Sequence, residues 1–343
     1  MHSVRRPPAM RDVAHLAGVS HQTVSRVVND HPSVRSETRA RVLAAMRALD
    51  YQPNVAARTL ATNRSQTVGL VTFDTTLFGP SFMVHAIERA AREAGYFVSI
   101  ASARELNVPS VSEAIRRLRE QAVEGIITLA PVAAAWTALG RSLLDVPAHV
   151  PIVGMGIDVA AMPEVPMVAV DNAAGAGLAT RHLIALGHRT VHHVAGPPEW
   201  PEARERLVGW QAALEDAGLP VPVPLPGDWS ARSGYAAGRA LAADPSVTAV
   251  FCGNDQMAIG VLRALHQAGR AVPDEVSVVG FDDMPEAPYL QPPLTTVRQD
   301  FAELGRRSMH LLVTQIAAGV RQTGQHRSAP DLVVRESTSA LAL

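Results

Sequence analysis

Lysine is missing from this 343-residue chain, and every basic side chain is an arginine. With alanine abundant, the bias fits a GC-rich coding sequence and says nothing about binding. Cysteine is almost missing too. Cys252 stands alone in an apolar run, which excludes a disulfide framework and a thiolate metal site and reads as a buried strand residue. No apolar stretch reaches the length needed to cross a bilayer. The opening residues, Met1-His2-Ser3-Val4-Arg5-Arg6-Pro7-Pro8, lack the apolar centre of a secretion signal, so a cytoplasmic protein with no membrane partner is expected. Histidine is plentiful, but the densest pair, His192-His193, lies in a strand-like run whose neighbours face opposite sides and cannot chelate one ion. No metal or other cofactor is therefore expected. Chemistry also lacks its signatures, with no nucleophile elbow and no phosphate loop. Asp282 and Asp283 are chain neighbours that point apart, so no catalytic residue is assigned.

A chain of this length is too long for one compact core, and at least two domains are expected. Its net charge is only −1, yet residues 1–66 carry ten arginines against four carboxylates, a net +6 that leaves −7 for the remainder. A basic head on an acidic body is the footprint of a nucleic-acid reader with a separate sensing domain.

The head carries a helix-turn-helix pattern between Arg11 and Asn29. Val13, Ala14 and Ala17 give a first helix one apolar face, Gly18 ends it where a positive φ is needed, and Val19 plugs the corner. Ser20 stands at an N-cap position, and Val24, Val27 and Val28 hold a second helix against the first. An ordinary amphipathic helix pair would not need Ala, Gly and a polar outer face at all these offsets. The outer face carries His21, Gln22 and Arg26, assigned to base reading in the major groove, and Ser20, Thr23, Ser25 and Asn29, assigned to phosphates. A third helix from Ser36 to Leu49 turns Val42, Met46 and Leu49 inward. The following segment, from Tyr51 to Thr62, holds a helix too short to be stable alone, with Asn54 as its cap.

Beyond the linker at residues 62–66, short apolar runs alternate with helical stretches. Strands are read at 67–71, 96–100, 125–129, 151–155, 167–170, 192–195, 249–252 and 276–279; helices are read at 80–94, 110–121, 173–186, 203–217, 255–268 and 301–318. Such alternation implies parallel sheets covered by helices, here enough for two lobes with a cleft at the strand ends. Phe73, Asp74, Asn254 and Asp282 follow apolar runs, Arg206 opens a helix, and Trp229 lies in Gly-Asp-Trp-Ser. Carboxylate, amide, guanidinium and indole together suit a sugar, hydroxyls pairing with the polar groups and the ring face with the indole. Asp255 reads as a helix cap, and Trp229 serves equally well in a core.

Taken together, the helix-turn-helix, the short helix and the stretches Gly-Asp-Trp-Ser, Asn-Asp-Gln-Met-Ala and Pro-Pro-Leu-Thr-Thr-Val-Arg-Gln-Asp-Phe resemble the LacI/GalR family of transcriptional regulators along nearly the whole chain. The resemblance implies an all-α helix-turn-helix DNA-binding domain over residues 1–52 and a hinge helix and linker over 53–66. Residues 67–343 would then form an α/β periplasmic-binding-protein-like domain of two doubly wound lobes, one of 67–168 with 296–325 and one of 169–295 with 326–340. It implies that Leu60, beside Ala57, wedges the minor groove, with Asn54 and Arg58 near phosphates. It adds Gln299 to the sugar-facing group and Leu77, Pro80 and Phe301 as apolar walls. Where a sugar-binding member has small serines before the helix arginine, this chain has Trp200 and Glu202, and the first lobe's aspartate and asparagine become Gly156 and Leu129. Trp200 is then a second aromatic wall, suited to a larger glycoside. No leucine heptads follow Arg335, so a homodimer is expected, with Tyr289 to Leu294 in its interface. The function implied is a repressor released from palindromic double-stranded operator DNA by a sugar, such as a galactoside. A purine corepressor is the alternative.

Overall fold

The structure, a computed structural model, describes residues 8–28, 31–52, 64–73, 77–105, 107–129, 150–156, 165–320 and 322–341. The chain divides into two compact units, one up to Ser65 and one from Gln66 onward. In the first, helices α1 (Met10–Ala17), α2 (His21–Val28) and α3 (Ser36–Ala48) share a small core. Val13, Ala14, Ala17, Val24, Val27, Val42 and Ala45 are its buried members, with Val19, Met46 and Leu49 packed at its margin. Gly18 closes α1 at φ 63°, in the left-handed region that a side chain rarely adopts.

The second unit contains two six-stranded sheets. The first-lobe sheet is built from β1 (Thr67–Thr72), β2 (Phe97–Ser102), β3 (Ile126–Leu129), β4 (Ile152–Met155) and β5 (Met167–Val170), with α4 (Phe78–Glu93) and α5 (Val108–Glu120) between strands. The chain then crosses to the second lobe: α6 (Asn172–Ala185), β6 (His192–Ala195), α7 (Pro201–Asp216), β7 (Leu225–Pro226), α8 (Ala231–Ala242), β8 (Ala249–Cys252), α9 (Asp255–Gln267), β9 (Ser277–Asp282) and β10 (Thr295–Arg298). It returns through α10 (Phe301–Ala318) and β11 (Gln325–Ser328), then crosses once more to β12 (Asp331–Val333). The sheet orders are β11-β5-β4-β3-β1-β2 and β12-β10-β9-β8-β6-β7, parallel throughout except for β12 against β10.

Both faces of each sheet are covered, which is why the central strands are unbroken apolar runs rather than alternating ones. Val71, Ile126 and Ile152 fill one side of the first sheet, and Val68, Leu70, Ile127 and Val153 the other. The lobe crossings fall later than the sequence suggests. Strand β5 lies entirely in the first sheet, β10 in the second and β11 in the first, so the chain changes lobe after Val170, after Arg298 and after Ser328. The boundaries at 168, 296 and 325 are corrected accordingly; short polar strands such as Gln-His-Arg-Ser carry no apolar signal to place them.

Candidate functional site

Helix α2 presents one apolar and one polar face. Val24 and Val27 are buried, while His21, Gln22 and Arg26 are exposed together on the outer side. The Ser20 hydroxyl accepts the Thr23 N–H at 3.2 Å and lies 2.9 Å from the Thr23 hydroxyl, so the cap fixes the start of the exposed face. Ser25 is half-buried. Asn29, Asn54, Ala57, Arg58 and Leu60 lie outside the described residues.

In the second unit a cleft of about 140 Å³ opens where strand ends of the two lobes meet. All ten side chains singled out for a ligand line it: Phe73, Leu77, Pro80, Trp200, Arg206, Trp229, Asn254, Asp282, Gln299 and Phe301. Arg206 is its centre. Five per cent exposed, the guanidinium donates through Nε to Asn172 Oδ1 at 2.9 Å and through Nη1 to the Gly253 carbonyl, and Nη2 lies 3.5 Å from Asp282 Oδ1. Its carbon sits 3.7 Å from the Phe281 ring centre and 5.4 Å from that of Trp229. Gln299 donates to the same Asp282 oxygen. Burial lifts the Asp282 carboxyl to about 6 against the pull of Arg206 and Gln299.

Trp229 and Asp282 hold φ values of 72° and 111°. Non-glycine residues in this region carry strain that packing must hold, and such strain gathers at functional sites. Trp229 is held by the Asn254 amide, which donates to its carbonyl at 3.1 Å, and by Gly196, where a Cβ would come within 2.2 Å of the indole. Its own indole N–H is buried without a partner. Trp200 meets Trp229 edge to face, ring centres 5.8 Å apart at 72°, and packs against the cores of both lobes. Trp200 thus stands beside Trp229 as a second indole lining the cleft.

Asn254 takes the capping role that the sequence reading gave to Asp255, and it lines the cleft as well. Asn254 caps α9, its Oδ1 accepting the Met257 N–H at 2.9 Å. Asp255 accepts instead from the Thr296 hydroxyl and from the Met284 N–H at 2.8 Å, and burial beside Asp282 raises its carboxyl to about 8. The cap register is one residue earlier because Asn254 is the residue with extended backbone. Asn172, four per cent exposed and the anchor of Arg206, was missed. It follows β5 as Asn254 follows β8, so the strand-end rule applied there would have found it. Glu202 also lines the cleft.

No group of three His, Cys, Asp or Glu side chains suited to a metal occurs among the described residues. No helix among them is long and apolar enough to cross a membrane.

The pattern of periplasmic binding protein-like domains matches residues 180–338, and that of bacterial regulatory proteins of the lacI family matches residues 9–54. The lactose operon repressor of Escherichia coli (strain K12) is 36% identical over 98% of this chain and 92% of its own length. The HTH-type transcriptional repressor PurR of Photobacterium profundum is 34% identical over 97% of this chain and 99% of its own length. Among solved structures, the lac repressor dimer bound to operator and the anti-inducer ONPF superposes with a TM-score of 0.86 at 34% identity, over 98% of this chain and 100% of that one. The chain belongs to the LacI family of bacterial regulatory proteins, as a DNA-binding transcriptional repressor governed by a small-molecule effector and not an enzyme.

Proposed function

We propose that the effector is a neutral sugar and that it acts as an inducer, releasing a homodimer from a palindromic operator. The observation that carries the sugar reading is the cleft itself. A guanidinium, two carboxyl groups and four amides line it together with two indoles, and hydroxyl pairs on a pyranose satisfy such groups while its apolar face covers an aromatic ring. The indoles stand edge to face, so they offer no parallel-walled slot for a purine. At about 140 Å³ the cavity is smaller than the 300–1,000 Å³ usual for drug-sized ligands, which favours a single ring over a larger glycoside.

On the operator, His21, Gln22 and Arg26 read base edges, and Ser20, Thr23, Ser25 and Asn29 contact phosphates. Asn54 and Arg58 approach the backbone at the operator centre, where Ala57 and Leu60 enter the minor groove. Residues 1–52 form the DNA-reading domain and 53–66 the hinge in this reading. Tyr289, 86% exposed on the rim of a groove with Ile259, Leu262 and Leu290, marks the dimer contact. The protein works in the cytoplasm, where its operator is.

The test is operator binding by the full chain to DNA from its own upstream region, with methyl galactosides, methyl glucosides and purines added in turn. Release by a glycoside is the expected result. Tightening by a purine would replace the inducer reading with a corepressor one. Arg26→Ala should lower discrimination at one base pair by about 1–3 kcal/mol and leave effector binding unchanged.

A further inference from the structure

Glu202 sits in the first turn of α7, on the second lobe, and reaches across the cleft. A Cβ built on Gly156, at the end of first-lobe strand β4, would stand 2.6 Å from Glu202 Oε1. Gly156 also has φ 74°, so both space and backbone favour glycine there, and the volume of its missing side chain is taken by a carboxyl from the opposite lobe. Glu202 as a whole is half-buried, but Oε2 is sealed from solvent without any hydrogen-bond partner. A buried carboxyl oxygen left bare costs on the order of 1–3 kcal/mol, so a position that keeps one is suited to a ligand that supplies the donor.

The charges around it narrow that ligand. Arg206 is the only cation among the described residues lining the cleft, and its three nitrogens already face Asn172, Gly253 and Asp282. The described first-lobe lining holds no titratable group. The charged neighbours of Glu202 are Arg204, Glu205 and Arg206, all on its own helix. None of the described lining residues is left over to neutralise an anion.

We propose, resting on the sugar reading above, that Glu202 binds ligand hydroxyls across the lobe boundary and makes the cleft select a neutral polyhydroxylated ring over a phosphorylated one. In the empty cleft, burial raises this carboxyl to about 8, and donors from a ligand favour its charged form. Sugar binding therefore releases a proton near neutrality, and affinity rises with pH until the empty-cleft carboxyl has itself ionised.

The experiment is calorimetric titration of the full chain, its Glu202→Gln variant and its Glu202→Asp variant with methyl β-galactoside, methyl β-glucoside, galactose 6-phosphate and adenine at pH 6, 7 and 8.5. The expected result is binding of a neutral glycoside and not of the phosphate. Affinity should rise at least fivefold from pH 6 to 8.5 in the wild-type protein. Glu202→Gln should bind at least tenfold more weakly at pH 8.5, with a flat pH profile, and Glu202→Asp should restore the slope in part. Near-ultraviolet circular dichroism matching the wild-type protein establishes that the variants fold; a variant that does not is replaced by Glu202→Ser. Glycoside binding indifferent to Glu202→Gln, or equal binding of the phosphate, overturns the Glu202 assignment and leaves the sugar reading standing. Binding of adenine alone, or of no probe, overturns both.

Discussion

The two lobes of the sensing unit share one architecture and divide the cleft unequally. Each is a six-stranded sheet covered by helices, yet among the described lining residues the second lobe brings Arg206, Asp282, Asn254, Glu202 and both indoles, while the first brings Phe73, Leu77, Pro80 and Phe301. The difference starts at the strand ends. Strand β1 runs out into Thr72-Phe73, whereas β9 ends on Asp282 and β8 leads into Gly253-Asn254. Hydrogen bonds have direction and apolar contact does not, so in the sugar reading proposed above the second lobe's wall distinguishes ligands and the first lobe's wall contacts any ring alike.

The largest expected effect that would break this division comes from Arg206→Ala. It leaves Asp282 buried without its cation, and loss of one partner of a buried pair costs about 3–5 kcal/mol. Urea unfolding should show that loss and operator release by any effector should vanish; a stability change below about 1 kcal/mol would mean the polar wall is not built around this residue. The next test sets the walls against each other. Asp282→Asn should reorder affinities among sugar epimers by about tenfold, one hydrogen bond to a charged group. Phe301→Ala should weaken all of them alike, by about 1 kcal/mol for a half-buried ring. An altered ranking in Phe301→Ala would refute the separation of roles.

A third expectation concerns pH. Burial raises Glu202 and Asp255 to about 8, both on the second lobe. From pH 6.5 to 8 the unfolded chain has lost these protons while the native state retains them, so stability falls as pH rises. Below pH 6.5 buried histidines, with His193 pushed down to about 4, act in the opposite sense, which makes the upper window the clean one. Denaturant midpoints at pH 6.5 and 8 should show the decline, and Asp255→Asn should reduce it to the part that Glu202 carries. A stability that rises across this window would contradict the burial of both carboxyls.

The smallest effect is expected where the lobes are tied directly. Arg327 of β11 donates to Glu205 of α7 at 3.0 Å, and Glu205 accepts from Asn172, the anchor of Arg206. Arg327 is 39% exposed, and such pairs contribute up to about 1 kcal/mol. Arg327→Gln should leave the unfolding midpoint nearly unchanged and move the half-maximal effector concentration by about threefold or less.

Most of the second unit was legible because its central strands are buried on both faces and flanked by helical periods. Helix α8 was not. Its sequence, with Gly234 and Gly238, has weak helix propensity, and it forms because those glycines let it lie against α9: a Cβ on Gly234 would meet the Met257 carbonyl at 2.1 Å, and one on Gly238 would lie 2.9 Å from the Val261 Cα. Strand β10 was missed because Thr-Thr-Val-Arg is short and polar at both ends. In the cleft, strand ends and family pattern together named ten of the residues that line it. The Glu202 reach to Gly156 could not be read, since it joins two lobes through an absent side chain.

The crossing between β11 and β12, only Ala329 and Pro330 long, governs the order in which the protein can be completed during synthesis. Strand β5 must wait for β11 and β10 for β12, so β5 and β10 remain edge strands until the stretch from Gln325 to Val333 has left the ribosome and the short strands β11 and β12 take the edge. Open strand edges are templates for mispairing. A chain cut short before Gln325 would keep its DNA-binding unit but leave the more deeply buried strands β5 and β10 as bare edges.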